Sequence, residues 1–219
     1  MSRIIIILCI LLLAGTAQAQ FGLRAGVNSF TLSIQSEEDQ QASASRKTGY
    51  HAGIFYELKL TNKVSLLPEV QYSRQSTNLQ VVNYRVADGG YQGDYRLQLT
   101  YLAVPILVKA NLGKFFLEAG PQASYLLAAH EEGTESLGYI WGTTQNDVDR
   151  SATNRYRRFD VGLCAGAGVK LPAGFRLGIR AYSGLVSLTH GPIAYYNYGG
   201  SLKNQVMQAS VSYLFKTGS

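Results

Sequence analysis

The sequence predicts an all-β protein, an eight-stranded antiparallel up-and-down transmembrane β-barrel with long outer loops and short periplasmic turns. Three observations carry that reading. The first residues are built for export, the remainder is a series of segments with a period of two, and the connections between them alternate between short and long.

Arg3 is followed by an unbroken apolar run over 4–14 and then by Gly15-Thr16-Ala17-Gln18-Ala19, the layout of a secretory signal peptide with small residues ahead of the cleavage site. The run is shorter than the ~20 apolar residues that a spanning helix needs. Thr16 stands where a lipoprotein would carry cysteine. Residues 1–19 are therefore expected to be removed and 20–219 to form one barrel domain. Beyond the leader the longest apolar stretch is 101–108, and it contains Pro105. Such a chain can cross a bilayer only as a closed barrel, because hydrocarbon satisfies no backbone polar group.

Periodicity supplies the strands. Over 159–171 the odd positions are Phe159, Val161, Leu163, Ala165, Ala167, Val169 and Leu171, and the even ones are Asp160, Gly162, Cys164, Gly166, Gly168 and Lys170. Successive strand side chains point to opposite faces, so this is a strand with one apolar face and one small or polar face. After Pro172-Ala173-Gly174, a tight turn, Phe175, Leu177, Ile179 and Ala181 alternate with Arg176, Gly178, Arg180 and Tyr182. The same alternation runs through 51–60, 64–73 and 115–130, and the segments 21–34 and 205–216 complete the set. In the fourth segment, 95–111, Leu97, Leu99 and Tyr101 are out of phase with Leu102, Val104, Ile106 and Val108, which predicts a bulge or an irregularity at Pro105.

Tight turns fall near 61–63, 112–114 and 172–174, and polar loops near 35–46, 80–94, 131–156 and 189–204. Transmembrane barrels sort short periplasmic turns from long outer loops in this way. Each segment also supplies the ~9–11 residues of a tilted crossing. The 15 Tyr and 23 Gly against 5 Pro suit twisted strands with aromatic girdles rather than disorder or a helical bundle. A net charge of +6 comes without any run of cations longer than Arg157-Arg158, which argues against nucleic acid as a partner. Beyond the leader Cys164 is the only cysteine, so no disulfide can staple the fold.

The segments Gly22-Leu-Arg-Ala-Gly-Val-Asn28, Leu67-Pro-Glu-Val-Gln-Tyr-Ser73, Tyr101-Leu-Ala-Val-Pro-Ile-Leu-Val-Lys109, Phe116-Leu-Glu-Ala-Gly-Pro121, Asp160-Val-Gly-Leu-Cys-Ala-Gly-Ala-Gly168 and Ser183-Gly-Leu185 resemble, in order, the PorT-like outer-membrane β-barrel family of Bacteroidetes. The resemblance covers essentially the whole mature chain. It implies the barrel fold and an outer-membrane location, and, through one member that belongs to a secretion apparatus, a role in envelope assembly. Two features depart from the family: Ser187 stands where an Asn is common, and the last aromatic, Phe215, is not terminal.

Side by side, the inward positions give Arg24, Glu57, Glu69, Lys109, Glu118 and Arg180 in one layer near the periplasmic end. An eight-stranded bore is just wide enough for side chains to fill, so these charges are expected to pair and plug it, with Glu118 serving Lys109 or Arg180. His51, His130 and His190 are placed at the outer rim, where convergence would make a metal or proton-responsive site. No metal or other cofactor is otherwise called for. Tyr139, Trp141, Tyr195, Tyr196 and Tyr198 lie in loops and suit either a membrane-edge belt or an envelope protein or glycan partner. A structural or interaction role in the envelope, without enzymatic activity, follows. The rivals are a soluble lipocalin-like binding barrel, which wants an apolar interior, and a lipid-modifying enzyme using Ser187 with His190, or His130 with Glu131 and Glu132. The Gly-rich run at 162–168 lacks the Lys-Ser/Thr ending of a phosphate loop. It is expected to make room for Arg180 and Tyr182.

Overall fold

A computed structural model describes residues 19–35, 40–83, 90–139, 141–188 and 201–215. It contains β1 (Ala19–Gln35), β2 (Gln40–Lys59), β3 (Val64–Asn83), β4 (Tyr91–Leu112), β5 (Phe115–Tyr139), β6 (Gly142–Ser151), β7 (Phe159–Lys170), β8 (Phe175–Gly184) and β9 (Ser201–Leu214). All pairings are antiparallel; β1 closes on β9 and β4 closes on β5. β6 hangs on β5 alone, so eight of the nine strands form the ring. Among the described residues no helix is long and apolar enough to cross a membrane. The expected signal peptide lies almost wholly outside the described residues.

The turns fall where the sequence places them. Gly113 and Gly174 take left-handed backbone there (φ 65° and 89°), which glycine adopts without a Cβ penalty. The strands, however, run well past the predicted ends. β2 begins at Gln40 instead of 51, β3 reaches Asn83, β5 reaches Tyr139 and β9 begins at Ser201. The stretch 131–156, which the sequence pattern predicts as a polar loop, is mostly a hairpin of β5 and β6.

These extensions are polar outside because they stand above the membrane. On β4 every odd residue from Tyr91 to Lys109 points inward and every even residue outward. Outward come first Gln92, Asp94 and Arg96, then, below Thr100, Leu102, Val104, Ile106 and Val108. The inward row is apolar above, with Leu97 and Leu99, and below Thr100 mixes Ala103 and Leu107 with the charged Lys109. β4 thus has no phase break. The expected irregularity lies across from it on β5, where the pairing steps from Thr100↔Ala128 to Tyr101↔Leu126. It is a β-bulge that lets the inward phase pass from even to odd residues.

The outward apolar band is bounded by aromatic rings. Phe21 stacks on Phe215 at 5.6 Å and Phe175 meets Tyr213 at 5.0 Å at the periplasmic edge. Tyr50 faces Tyr72 at 6.4 Å and Tyr125 meets Phe159 at 5.0 Å at the outer edge. Girdles of this kind flank the lipid band of outer-membrane barrels. The lipocalin-like alternative fails on this band, since Leu163, Leu177 and Ile179 are exposed around the ring. Arg in place of Ile179 should cost about 2–4 kcal/mol near the midplane. Arg in place of Gln92, above the girdle, should change stability by no more than about 0.5 kcal/mol. Urea titrations of both variants folded in phospholipid vesicles measure the contrast, and equal losses would misplace the membrane boundary.

Candidate functional site

The lumen is filled in three tiers. The lowest is ionic. Arg180 contacts Glu118 at 2.8 Å and Glu69 at 3.1 Å, while Arg24 lies 3.2 Å from Glu118 and 3.8 Å from Glu69. A second group centres on Glu57, 2.5 Å from Lys109 and 2.6 Å from Arg176. All seven side chains are buried. The rings of Phe55 and Phe116 lie 5.6 Å from the Arg24 guanidinium and 5.5 Å from the Lys109 ammonium. Gly168 and Gly178 leave the wall bare where the Phe116 ring lies, and Gly162 and Gly166 do so beside Tyr182 and Arg180.

The six residues singled out in the sequence therefore lie in one layer, with two amendments. Glu118 serves Arg24 and Arg180, whereas Lys109 is held by Glu57. Arg176 joins the layer as a fourth cation; it shares the inward parity of Arg180, four residues on, and that parity was the available signal.

The middle tier is a small chamber of about 10 Å³ lined by Gln71, Gln75, Tyr101, Asp160, Tyr182 and Asn204 among others. The Tyr182 hydroxyl and Asn204 Nδ2 both donate to Asp160 Oδ2, at 2.9 and 2.6 Å. His51 is also buried, and neither of its ring nitrogens has a hydrogen-bond partner. The top tier is apolar: Phe30, Leu79, Leu97, Leu99, Leu126 and Leu188 are buried together with Leu202 and Val206.

His51 and His130 do not converge at the rim. Because β2 starts eleven residues earlier than expected, His51 sits deep in the lumen, paired in register with Ser73. His130 instead lies 3.0 Å from the exposed Asp149 of β6, and His190 lies outside the described residues. No cluster of three or more His, Cys, Asp or Glu able to hold a metal exists among the described residues.

Above the membrane, β5 and β6 are clasped by a second ionic group. Arg150 donates to Glu131 at 2.9 Å and to Glu135 at 2.5 Å, Arg155 donates to Glu131 at 3.0 Å, and the Tyr156 and Tyr95 hydroxyls donate to Glu131 and Glu135. Val148 packs behind it on Tyr91 and Tyr95. The acidic Glu131 is thus a buried anchor, and Glu132 beside it is exposed. At the tip Trp141 is 95% exposed. Tyr139 ends β5, and Tyr195, Tyr196 and Tyr198 lie outside the described residues. Burial pushes the Glu135 carboxyl up, but hydrogen bonds from Arg150 and Tyr95 and the charge of Arg150 outweigh it and hold the group below its ordinary range.

The sequence model of a family described as outer membrane protein beta-barrel domain matches residues 16–190. The chain belongs to that family. Among solved structures it is similar to Neisserial surface protein A (13% identity, 90% of this chain and 99% of that one, TM-score 0.48). It is likewise similar to the attachment invasion locus protein Ail of Yersinia pestis, in complex with the heparin analogue sucrose octasulfate (11%, 90% and 99%, 0.46), and to OprG of Pseudomonas aeruginosa (14%, 91% and 97%, 0.46). No curated protein matches the chain.

Two expectations follow from the charged groups. Glu118→Ala leaves Arg24 and Arg180 with Glu69 alone, and breaking buried pairs of this kind costs about 3–5 kcal/mol; an unchanged urea midpoint in vesicles would mean that the lumen is hydrated. The clasp should weaken in acid. A carboxyl whose folded pKa is depressed contributes stability that is present above its unfolded pKa and lost as pH falls through the folded one. Limited proteolysis at the hairpin should therefore accelerate below the ordinary carboxylate range, and Glu135→Gln should flatten that dependence.

Proposed function

We propose that this outer-membrane barrel is a non-conducting platform whose working surface is the β-wall above the membrane, with the hairpin of β5 and β6 as its contact element. The observation that carries the reading is the double closure of the bore, ionic below and apolar above. An interior that side chains fill cannot hold a water column, and open channels need ~16 strands. The chain acts, on this reading, as a structural or interaction component of the envelope without enzymatic activity. Its resemblance to the PorT-like family supports a place in a secretion or envelope assembly, reached after cleavage of residues 1–19.

The partner is a protein or glycan of the cell surface, engaged through Trp141 and its small polar neighbours. Exposed tryptophan is a favoured anchor of such contacts. Planar-bilayer recordings of the purified protein should show no stable conductance steps of porin size; their appearance would sink the plugged reading. Trp141 is the single tryptophan of the chain, so its emission reports the hairpin tip directly. It should shift to the blue on adding purified surface glycan or detergent-extracted envelope proteins, and a constant spectrum across both would remove the hairpin from the contact.

A further inference from the structure

The chamber between the two closures is unbalanced in a specific way. Asp160, Gln71 and Asn204 are 1–2% exposed, and Gln75 is buried with them. Asp160 Oδ1, Gln71 Oε1, Gln75 Oε1 and Asn204 Oδ1 all lack hydrogen-bond partners, whereas none of the lining residues has a buried nitrogen in that state. Buried polar atoms are nearly always paired, and an exception calls for an explanation. Among the residues lining the chamber every exception is an acceptor; His51, outside that lining, has both ring nitrogens unpaired.

At Asn204 amide rotation does not remove the excess, because its nitrogen must face Asp160 Oδ2 at 2.6 Å, with the Tyr101 hydroxyl 3.3 Å away. The Gln75 amide lies 3.3 Å from Ser73 Oγ, a hydroxyl that can meet either end of it. Charge is unpaired locally: over the whole lumen four cations meet four carboxylates once Asp160 is counted, but none of the four cations pairs with Asp160. The lumen cations Arg24, Lys109, Arg176 and Arg180 are all engaged with Glu57, Glu69 and Glu118 in the ionic tier. No ion pair joins Asp160 to an Arg or Lys among the described residues, and a buried unpaired carboxylate is costly.

We infer that the chamber is a cation site, with Asp160 Oδ1 as its anionic ligand and the amide oxygens of Gln71, Gln75 and Asn204 as neutral ligands. Carboxylate and carbonyl oxygens suit hard cations. A monovalent alkali cation matches the single carboxylate of the chamber, whereas a divalent ion would exceed it by one charge. A volume of about 10 Å³ is close to the smallest that holds one water-sized particle, so the ion enters stripped of its shell. The site is separate from the hairpin surface and does not depend on the role proposed for it.

The test uses the full mature chain folded in vesicles at one ionic strength in sodium, potassium, calcium or N-methyl-glucamine chloride. Sodium or potassium should raise the urea midpoint over N-methyl-glucamine, with the shift growing with cation concentration as ligand linkage requires. Asp160→Asn should lose the shift. Equal midpoints in all four salts, a response to calcium alone, or the same sodium response in Asp160→Asn would overturn the site. Crystals of the wild-type protein grown in rubidium chloride give a check independent of any variant: an anomalous peak beside Asp160 Oδ1 is expected, and its absence counts against the assignment.

Discussion

Hydrocarbon offers no hydrogen bonds, and most of this structure is the consequence of that fact meeting a chain that continues into water. Within the lipid band every strand must have a neighbour on both sides, so β1 has to meet β9 and β4 has to meet β5. Ring closure fixes what the lumen can be. With eight strands there is room for side chains and little else, and whatever points inward must settle its own polarity against other inward residues. Four cations and three carboxylates do so in the ionic tier. Phe55 and Phe116 pack beside them where glycines thin the wall.

The strands then outgrow the membrane and the rule reverses. Once the outer face meets water, the hydrophobic effect again favours an apolar interior, and Leu97 and Leu99 turn inward on the same strand whose Leu102 and Val104 face lipid. One continuous β4 is inside-out below Thr100 and conventional above it. Bore closure is therefore stabilised by two unrelated forces stacked along one axis.

This reversal also explains which parts of the fold the sequence makes legible. β7 and β8 lie wholly in the lipid band, so their alternation of Leu and Val against Gly and Arg has a single meaning and reads directly. β4 carries apolar residues on both parities at different heights, and without the height the pattern looks like a phase error. By sequence alone β2 starts at His51, because 42–50 are mostly polar outward and small inward, which resembles a loop; the shorter strand puts His51 at a rim it does not occupy. β6 has Val148 as its only buried side chain, and it is ordered by Arg150, Arg155 and register with β5 rather than by periodicity. Ion partners were legible as a set but not pair by pair. Lys109 and Glu118 lie opposite each other on β4 and β5, yet each reaches to different partners.

The bulge on β5 is the joint between the two regimes. Below it β5 pairs with β7 as far as Tyr125↔Phe159, and above it the same edge pairs with β6 from His130↔Ser151. The chain between 152 and 158 bridges the gap, with Ala152 donating its N–H to Ala129 and Leu126 donating to Arg158. The change of neighbour coincides with a change of phase, and above the bulge the odd residues Ala129, Glu131 and Glu135 are the buried ones. One extra residue supplies that change, since a shift of one flips every side chain beyond it. The hairpin consequently rises from a wall that remains hydrogen-bonded to β4 as high as Tyr91↔Leu137, and its tip is carried on paired strands. If the hairpin is the contact element proposed above, it presents Trp141 on paired strands, and a partner would meet a surface whose ordering entropy was spent in folding rather than in binding.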